Sequence, residues 1–216
     1  FGEDHDQLYL VMRYMPGGSL SERIYQRPFP IPEACILIQR IGAALDHAHE
    51  QGVIHRDLKP ANILFDRYGY PFLSDFGIVK LAEATSGFTG SGVIGTPAYM
   101  SPEQIHSEVE IDGRSDIYTL GILFFEMLTG IKPYRADTPV KQMMAHVLNP
   151  IPSIRQYRDD LPSALETVVE KVLAKERDKR YATAQAFATA LDAALPDLSL
   201  PRQPLYPPAG SPSLPK

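Results

Sequence analysis

The most informative part of the sequence is His55-Arg56-Asp57-Leu58-Lys59-Pro60-Ala61-Asn62, and Asp75-Phe76-Gly77 begins thirteen residues after Asn62. A single Asp, Asn or Lys in a loop is ordinarily a turn former or a solvated charge. Here two carboxylates, an amide and an amine stand in a fixed order between positions 57 and 75. Their joint occurrence favours a functional site over four independent surface residues.

Short β-prone segments surround this stretch. Residues 62–65 and 71–73 are separated by the turn-like Asp66-Arg67-Tyr68-Gly69, which predicts a small hairpin. Residues 8–12 are apolar and stop at Pro16-Gly17-Gly18, the pattern of a buried strand that leads into a loop. Residues 78–100 are rich in Gly, Ser and Thr without a sustained period, and this predicts a long loop of the kind that is usually functional.

The remaining apolar periodicity is helical. In residues 32–51 apolar side chains recur every three or four positions, with proline at the start and Gly52 just past the end, as in an amphipathic helix. Four more helices are predicted, over residues 115–129, 138–147, 163–175 and 183–195. The segment Ser163-Ala164-Leu165-Glu166 has the spacing of a capping box. From Pro196 onward no apolar period survives, so residues 196–216 are expected to form a disordered Pro-rich linker or tail.

Composition bounds the class of protein. The chain has 216 residues, 44% hydrophobic and 22% charged, so it can bury a core and is not wholly disordered. Its net charge of −5 gives no overall attraction to nucleic acid or an anionic membrane, and no nucleic-acid partner is expected. The single cysteine, Cys35, favours a reducing, cytoplasmic location. No signal peptide is expected at the acidic N-terminus, and the apolar residues 117–128 are too few for a membrane span, so they predict a buried helix.

The two loops resemble the catalytic loop and the metal-binding loop of protein kinases, and Ser101-Pro102-Glu103 resembles the motif that closes their activation segment. The resemblance runs from about residue 8 to residue 195. It implies an α+β, protein kinase-like fold with a mainly α-helical C-lobe, a hinge strand and the small β-hairpin. The amino-acid sequence of residues 95–104 is similar to that of eukaryotic-like bacterial serine/threonine kinases.

The resemblance implies a role for each polar residue of the site. Asp57 is the expected catalytic base, which accepts the hydrogen bond of a substrate hydroxyl, and Lys59 places an ammonium group near the transferred phosphate. Asn62 and Asp75 complete the catalytic set as the expected ligands of Mg²⁺, an ion that prefers oxygen donors. Thr96 is expected to contact Asp57 and Lys59, and Lys59 together with Thr96 resembles the serine/threonine-specific branch.

The implied activity is transfer of the γ-phosphoryl group of ATP, with Mg²⁺, to Ser or Thr hydroxyls of protein substrates, with autophosphorylation in trans as a further expectation. Met12-Arg13-Tyr14-Met15 resembles the hinge that binds adenine through its backbone. Met12 matches the gatekeeper, while Arg13 and Met15 offer the backbone contacts. Leu64 matches the apolar floor beneath the base.

Other residues match structural parts of the family. His55 is expected to pack on Phe76, and Arg56 resembles the arginine that pairs with an activation-loop phosphate. Glu103 and Arg180 resemble a buried ion pair beneath the activation segment.

A further carboxylate, Asp116, resembles the group that braces the backbone of the catalytic loop. Arg177 stands where the family pattern usually has proline, which puts the local turn in doubt. His47 and His49 are expected on the surface of their helix.

The G-x-G-x-x-G pattern of residues 90–95 invites assignment as a nucleotide-binding loop. Such a loop lies ahead of the catalytic lysine in kinases or opens a helix in dinucleotide-binding folds. This one lies between the motifs at residues 75–77 and 101–103, so it is expected to be a flexible part of the activation segment. Four hydroxyls of the same segment are candidate phosphorylation sites: Thr85, Ser86, Thr89 and Ser91.

The resemblance also implies a Gly-rich loop, a strand lysine and a helical glutamate ahead of the hinge. Only eleven residues precede Met12, so the N-lobe is expected to be largely absent. Residues 1–195 then form a truncated kinase domain, which is expected to be inactive alone, and residues 196–216 form the tail. The alternative is a non-catalytic, pseudokinase-like scaffold that binds proteins. Membrane attachment is expected only through segments outside this chain, as in a receptor kinase.

Overall fold

The computed structural model describes residues 2–4, 7–9, 11–76, 97–106 and 110–196. Within these ranges the chain is mainly helical, with two small antiparallel ladders. The helices are α1 (Leu20–Gln26), α2 (Ile31–Glu50), α3 (Pro102–His106), α4 (Arg114–Thr129), α5 (Pro139–Leu148), α6 (Ser163–Val172) and α7 (Ala184–Ala194). The strands are β1 (Gly2–Asp4), β2 (Gln7–Tyr9), β3 (Ile63–Phe65) and β4 (Pro71–Leu73).

Helix α4 forms the centre of the core. Every residue from 115 to 128 is buried, as expected for a helix that is apolar on nearly all sides. Helices α2, α6 and α7 pack against it. At Gly121 a Cβ atom would lie 2.6 Å from Cγ1 of Val172, so the close packing of α4 on α6 requires glycine there. The prediction of a buried helix over residues 117–128 is confirmed.

The predicted hairpin is confirmed, with Ile63 opposite Leu73 and Phe65 opposite Pro71. The predicted buried strand over residues 8–12 is wrong in its extent and in its burial, since Tyr9, Val11 and Met12 are 50%, 76% and 58% exposed. Strand β2 ends at Tyr9 after pairing with β1, and residues 11–15 have no regular secondary structure. The reason is that no described strand pairs with residues 11–15, and an apolar run without a neighbouring ladder does not satisfy its backbone as a strand.

The five predicted helices are confirmed, with ends that differ by up to three residues: α2, α4, α5, α6 and α7. The predicted capping box at the start of α6 is wrong. Its N-cap is Pro162, and Ser163 is already helical. Glu166 instead accepts a hydrogen bond from the hydroxyl of Ser153, so a neighbouring segment takes the carboxylate that the local pattern assigned to the cap.

Sequence periodicity missed α1, which is only seven residues long. Its N-cap Ser19 accepts a hydrogen bond from the amide of Glu22 at 3.3 Å, and the Glu22 carboxylate accepts one from the amide of Ser19 at 3.2 Å. This is a complete capping box. It stabilises the short helix that connects residues 11–19 to α2.

Most of the long loop predicted over residues 78–100 lies outside the described residues. In its described part, residues 97–100, Pro97–Tyr99 form a 3₁₀ turn. The predicted tail likewise lies outside the described residues, apart from Pro196. Among the helices that are described, none combines the length and the apolar character needed to cross a bilayer.

Candidate active site

The loop that the sequence predicts to be catalytic, residues 55–62 and called the catalytic loop below, begins at His55, which is fully buried. Its ring lies 4.6 Å from the ring of Phe76, measured between centroids. Its Nε2 is 3.0 Å from the backbone carbonyl oxygen of Ser74. The prediction that His55 packs on Phe76 is confirmed, and this contact joins the catalytic loop to the segment that carries Asp75.

Arg56 adopts a strained backbone conformation directly before Asp57. Its φ is 64°, in the left-handed region that non-glycine residues rarely occupy. The amide of Asp57 donates to the carbonyl of His55 at 2.8 Å, which closes a γ-turn around Arg56 of the uncommon, strained hand. The side chain of Arg56 is exposed, as a partner of an activation-loop phosphate would need.

Asp116 on α4 holds this turn in place, as the resemblance implied. Its Oδ2 accepts from the amide of His55 at 2.8 Å, and its Oδ1 accepts from the amide of Arg56 at 2.9 Å. The carboxylate is buried, and a buried carboxylate needs such donors. Helix α4 therefore sets the backbone position of the catalytic loop.

His49 is a third partner of Asp116, and the prediction that it lies on the helix surface is wrong. Its Nε2 lies 2.8 Å from Oδ2 of Asp116, and its side chain is only 16% exposed. The ring also lies against Gly113, where a Cβ would come within 2.5 Å of Nδ1. The signal that could have revealed this contact is the spacing of His49 after Ile41 and Leu45, two buried residues at four-residue steps. His47 is exposed, as predicted.

Three of the predicted catalytic residues lie together in the loop. Nζ of Lys59 is 2.7 Å from Oδ2 of Asp57. Nδ2 of Asn62 donates to the carbonyl of Asp57 at 2.9 Å and to its Oδ2 at 3.3 Å. Both neighbours therefore stabilise and orient the Asp57 carboxylate. Because the amide nitrogen of Asn62 is engaged in this way, its oxygen is the atom that can serve a cation.

Ser74 connects Asp75 to this group. The Ser74 hydroxyl is 3.1 Å from the backbone carbonyl oxygen of Asn62 and 3.2 Å from Oδ2 of Asp75. The backbone amide of Ser74 donates to the same carbonyl oxygen of Asn62 at 2.9 Å. Asp75 has a φ of 59° and is exposed. An amide oxygen and an exposed carboxylate form a donor set that fits Mg²⁺ shared with phosphate oxygens.

The predicted hinge residues differ in their surroundings. The guanidinium of Arg13 lies 5.0 Å from the centre of the Phe72 ring, and Phe72 pairs with Leu64 in the hairpin. Arg13 therefore lies beside the strand pair that carries the expected apolar floor. Met12 is 58% exposed, whereas Met15 and Leu64 are half-buried.

Several predictions from sequence lie outside the described residues. These are the catalytic assignment of Thr96, Gly77 of the metal-binding loop, the glycine pattern of residues 90–95, and the candidate phosphorylation sites Thr85, Ser86, Thr89 and Ser91.

The expected ion pair beneath the activation segment is confirmed. Arg180 donates to both carboxylate oxygens of Glu103, and the hydroxyl of Ser115 donates to the same carboxylate at 2.6 Å. Burial alone would raise the pKa of Glu103, but the hydrogen bonds and charge of Arg180 and the bond from Ser115 outweigh it and lower that pKa. Glu103 is therefore a carboxylate at neutral pH.

Arg177, in the position where the family pattern has proline, begins a 3₁₀ turn, so the turn forms without proline. Its guanidinium donates to the carbonyl of Glu110 and lies 3.5 Å from Oδ2 of Asp112. The substitution thus gives this turn a polar contact with the segment ahead of α4.

Comparison with known proteins identifies the family. The profile of the protein kinase domain matches residues 1–191. The chain belongs to the protein kinase family. Together with the relatives described next, this match places it among the eukaryotic-like bacterial serine/threonine kinases.

Two relatives of this kinase chain are bacterial serine/threonine-protein kinases. The serine/threonine-protein kinase PknH of Mycobacterium tuberculosis (strain ATCC 25618 / H37Rv) is 40% identical over 200 residues, which cover 91% of this chain and 32% of PknH. The serine/threonine-protein kinase PrkC of Bacillus subtilis (strain 168) is 36% identical over 185 residues, or 85% of this chain and 28% of PrkC. The chain thus spans about a third of the length of the curated relatives it matches.

Within the kinase fold, the seven described helices and the β3–β4 hairpin form the helical C-lobe. Ahead of the hinge, the described residues contain only the small β1–β2 ladder. The loop of residues 55–62 leads directly into the β3–β4 hairpin, and Asp75 lies two residues after the end of β4.

Proposed function

We propose that the protein containing this chain is a Mg²⁺-dependent protein kinase that transfers the γ-phosphoryl group of ATP to Ser or Thr hydroxyls of proteins. The observation that carries the proposal is the Asp57 carboxylate, which is held by Lys59 and Asn62 and is connected through Ser74 to Asp75. Family membership and the names of the curated relatives support it.

Asp57 acts as the base. It accepts the hydrogen bond of the substrate hydroxyl and takes its proton late in the transfer, as the new O–P bond forms and the bond to the leaving ADP breaks. Lys59, which pairs with Asp57, offers positive charge to the oxygens of the phosphoryl group in transit. Asn62 and Asp75 would hold Mg²⁺, which offsets negative charge on the phosphates when bound.

The nucleotide is bound on the hinge side of the cleft. Backbone groups of Arg13 and Met15 contact the adenine, Met12 borders it as gatekeeper, and Leu64 lies beneath it. By the family resemblance, Thr96 would contact Asp57 and Lys59, and Lys59 together with Thr96 is typical of the serine/threonine-specific branch. These assignments rest on the family resemblance and on the position of Arg13 beside the hairpin.

The proposal includes the setting of the domain. Residues 1–195 contribute the hinge and C-lobe, and residues 196–216 form a Pro-rich linker. The domain lies in the cytoplasm, any membrane attachment uses segments outside this chain, and autophosphorylation occurs in trans. A non-catalytic scaffold is the weaker proposal, because Asp57, Lys59, Asn62 and Asp75 are all retained.

The test uses the full-length protein with γ-labelled ATP, Mg²⁺ and a Ser/Thr-rich protein substrate such as casein. We expect phosphoserine or phosphothreonine in the wild type and a loss of about 10²–10⁴-fold in kcat for Asp57→Asn, the range of general base catalysis. Asp159→Asn is the matched control, because Asp159 is exposed and outside the site. A correctly folded wild type without transfer, or Asp57→Asn with wild-type kcat, would contradict the proposal.

A further inference from the structure

Gln104 connects the end of the activation segment to the catalytic loop, and sequence reasoning assigned it no role. It lies in α3, directly after Ser101-Pro102-Glu103. The side-chain Oε1 of Gln104 accepts a hydrogen bond from the backbone amide of Ser101 at 3.0 Å, and the backbone amide of Gln104 lies 3.4 Å from the Ser101 hydroxyl. This reciprocal pair is a capping box at the start of α3.

The side-chain nitrogen of Gln104 points to the catalytic loop. This Nε2 atom donates to the carbonyl oxygen of Arg56 at 2.7 Å. A capping box needs only the acceptor oxygen of its fourth residue, which a glutamate supplies equally well. The amide nitrogen is the additional group, because glutamine both accepts and donates whereas a carboxylate only accepts.

The carbonyl that Gln104 holds belongs to the strained residue before Asp57. Arg56 has its amide bound to Asp116 and its carbonyl bound to Gln104, one contact on each side of a left-handed turn. That carbonyl belongs to the peptide group shared with Asp57, so its direction sets where the Asp57 side chain leaves the backbone.

We propose that Gln104 is a positioning residue for phosphoryl transfer, acting through the Arg56 carbonyl on Asp57. Since Gln104 follows the motif that closes the activation segment, its amide also couples the placement of that segment to the orientation of the catalytic base. The inference rests on the proposed kinase function and adds to it a residue outside the catalytic loop.

Gln104→Glu separates the two roles, because it keeps the acceptor for Ser101 and removes the donor to Arg56. In the full-length protein we expect kcat to fall at least tenfold, since small misplacements of a catalytic group are costly. The KM for ATP should stay within about twofold, because the change leaves the hinge intact. The thermal midpoint should stay near wild type, as the capping box remains.

Two further variants complete the design. Gln104→Met removes both the cap and the donor, so it should lose kcat as Gln104→Glu does and also lower the thermal midpoint. Gln39→Met is the matched control, because Gln39 donates its amide to Asp192 between α2 and α7, away from the site. It should keep wild-type kcat.

Hydrogen exchange of residues 54–58 gives a readout that does not need activity. Gln104→Glu should exchange faster there than wild type, and Gln39→Met should not. Wild-type kcat and exchange in Gln104→Glu would overturn the inference, as would a loss of kcat that only follows a lowered thermal midpoint. If the wild type transfers no phosphate, the proposed function fails, and the catalytic role of Gln104 fails with it because the inference rests on that function. The hydrogen exchange of residues 54–58 would then still decide whether Gln104 holds the catalytic loop.

Discussion

The guanidinium of Arg180 donates to both carboxylate oxygens of Glu103, at 2.7 and 2.8 Å, across 77 residues of sequence. The two side chains are 0% and 6% exposed. Arg180 also donates to backbone carbonyls of Ala174, Lys175 and Arg114. One buried pair thus ties α3, the start of α4 and the turn before α7 together.

Removal of one partner of this pair should cost much stability. Arg180→Met leaves the Glu103 carboxylate buried without its cation, and we expect the free energy of unfolding to fall by about 3–5 kcal/mol. Urea unfolding measures this loss. Lys179→Met is the control, because Lys179 and Glu176 form an exposed pair, 66% and 70% accessible, of the kind that contributes little. Equal losses in the two variants would contradict the prediction.

His146 should make the fold sensitive to mild acid. It is buried, and this burial, aided by the charge of Lys175 and only partly opposed by a hydrogen bond with Ala98, lowers its pKa from 6.5 to about 4. Between these values the unfolded chain binds a proton that the folded state does not. The free energy of unfolding therefore falls as the pH is lowered through that window, by at most about 3 kcal/mol.

Urea midpoints measured from pH 7 to pH 4 test this dependence. The His146→Asn variant should be less stable at pH 7, but its urea midpoint should change less between pH 7 and pH 4. The His47→Asn variant, changed at an exposed position, should show the same change of midpoint with pH as the wild type. Glu103 makes the free energy of unfolding depend on pH only at lower pH, because the pKa of Glu103 lies below the ordinary 4.5. Its stabilisation is complete above that value and is lost as the pH falls through the lowered pKa. An unchanged slope in His146→Asn would show that another group causes the effect.

Local patterns predicted those parts of the molecule that local interactions determine. The hairpin of β3 and β4 and the five longer helices follow from turn residues and apolar periodicity, which depend on near neighbours. The mutual contacts of Asp57, Lys59 and Asn62 follow in the same way, because these residues lie within six positions of one another in one loop.

Contacts between distant segments were not predictable in this way. Gln104 reaches Arg56 across 48 residues, and His49 reaches Asp116 across 67. Glu103 and Arg180 are still further apart, at 77 residues, but the family resemblance predicted this pair where periodicity could not. The strand expected over residues 8–12 failed for a related reason, since strand formation needs a partner strand that the run itself does not reveal.

The short helix α1 depends on its cap. Seven residues are too few for an isolated helix to be stable, so Ser19→Ala, which removes the hydroxyl that accepts from Glu22, should cost about 1 kcal/mol. Chemical unfolding measures it. Ser21→Ala is the matched control, because Ser21 is exposed within the same helix and should change stability by less than about 0.5 kcal/mol. If Ser19→Ala lowers the free energy of unfolding no more than Ser21→Ala does, the cap is dispensable.

His49 and His47 lie two residues apart on α2 and allow a matched test of the Asp116 contact. His49→Phe keeps an aromatic ring but removes the nitrogen that lies 2.8 Å from Asp116. Asp116 retains the two amide donors from the catalytic loop, so the loss should be moderate, about 1–2 kcal/mol in the free energy of unfolding. Because the same carboxylate holds the amides of His55 and Arg56, hydrogen exchange at these amides should also quicken. His47→Phe, on the exposed face, should change neither quantity, and equal behaviour of the two variants would mean that α2 does not support the catalytic loop through His49.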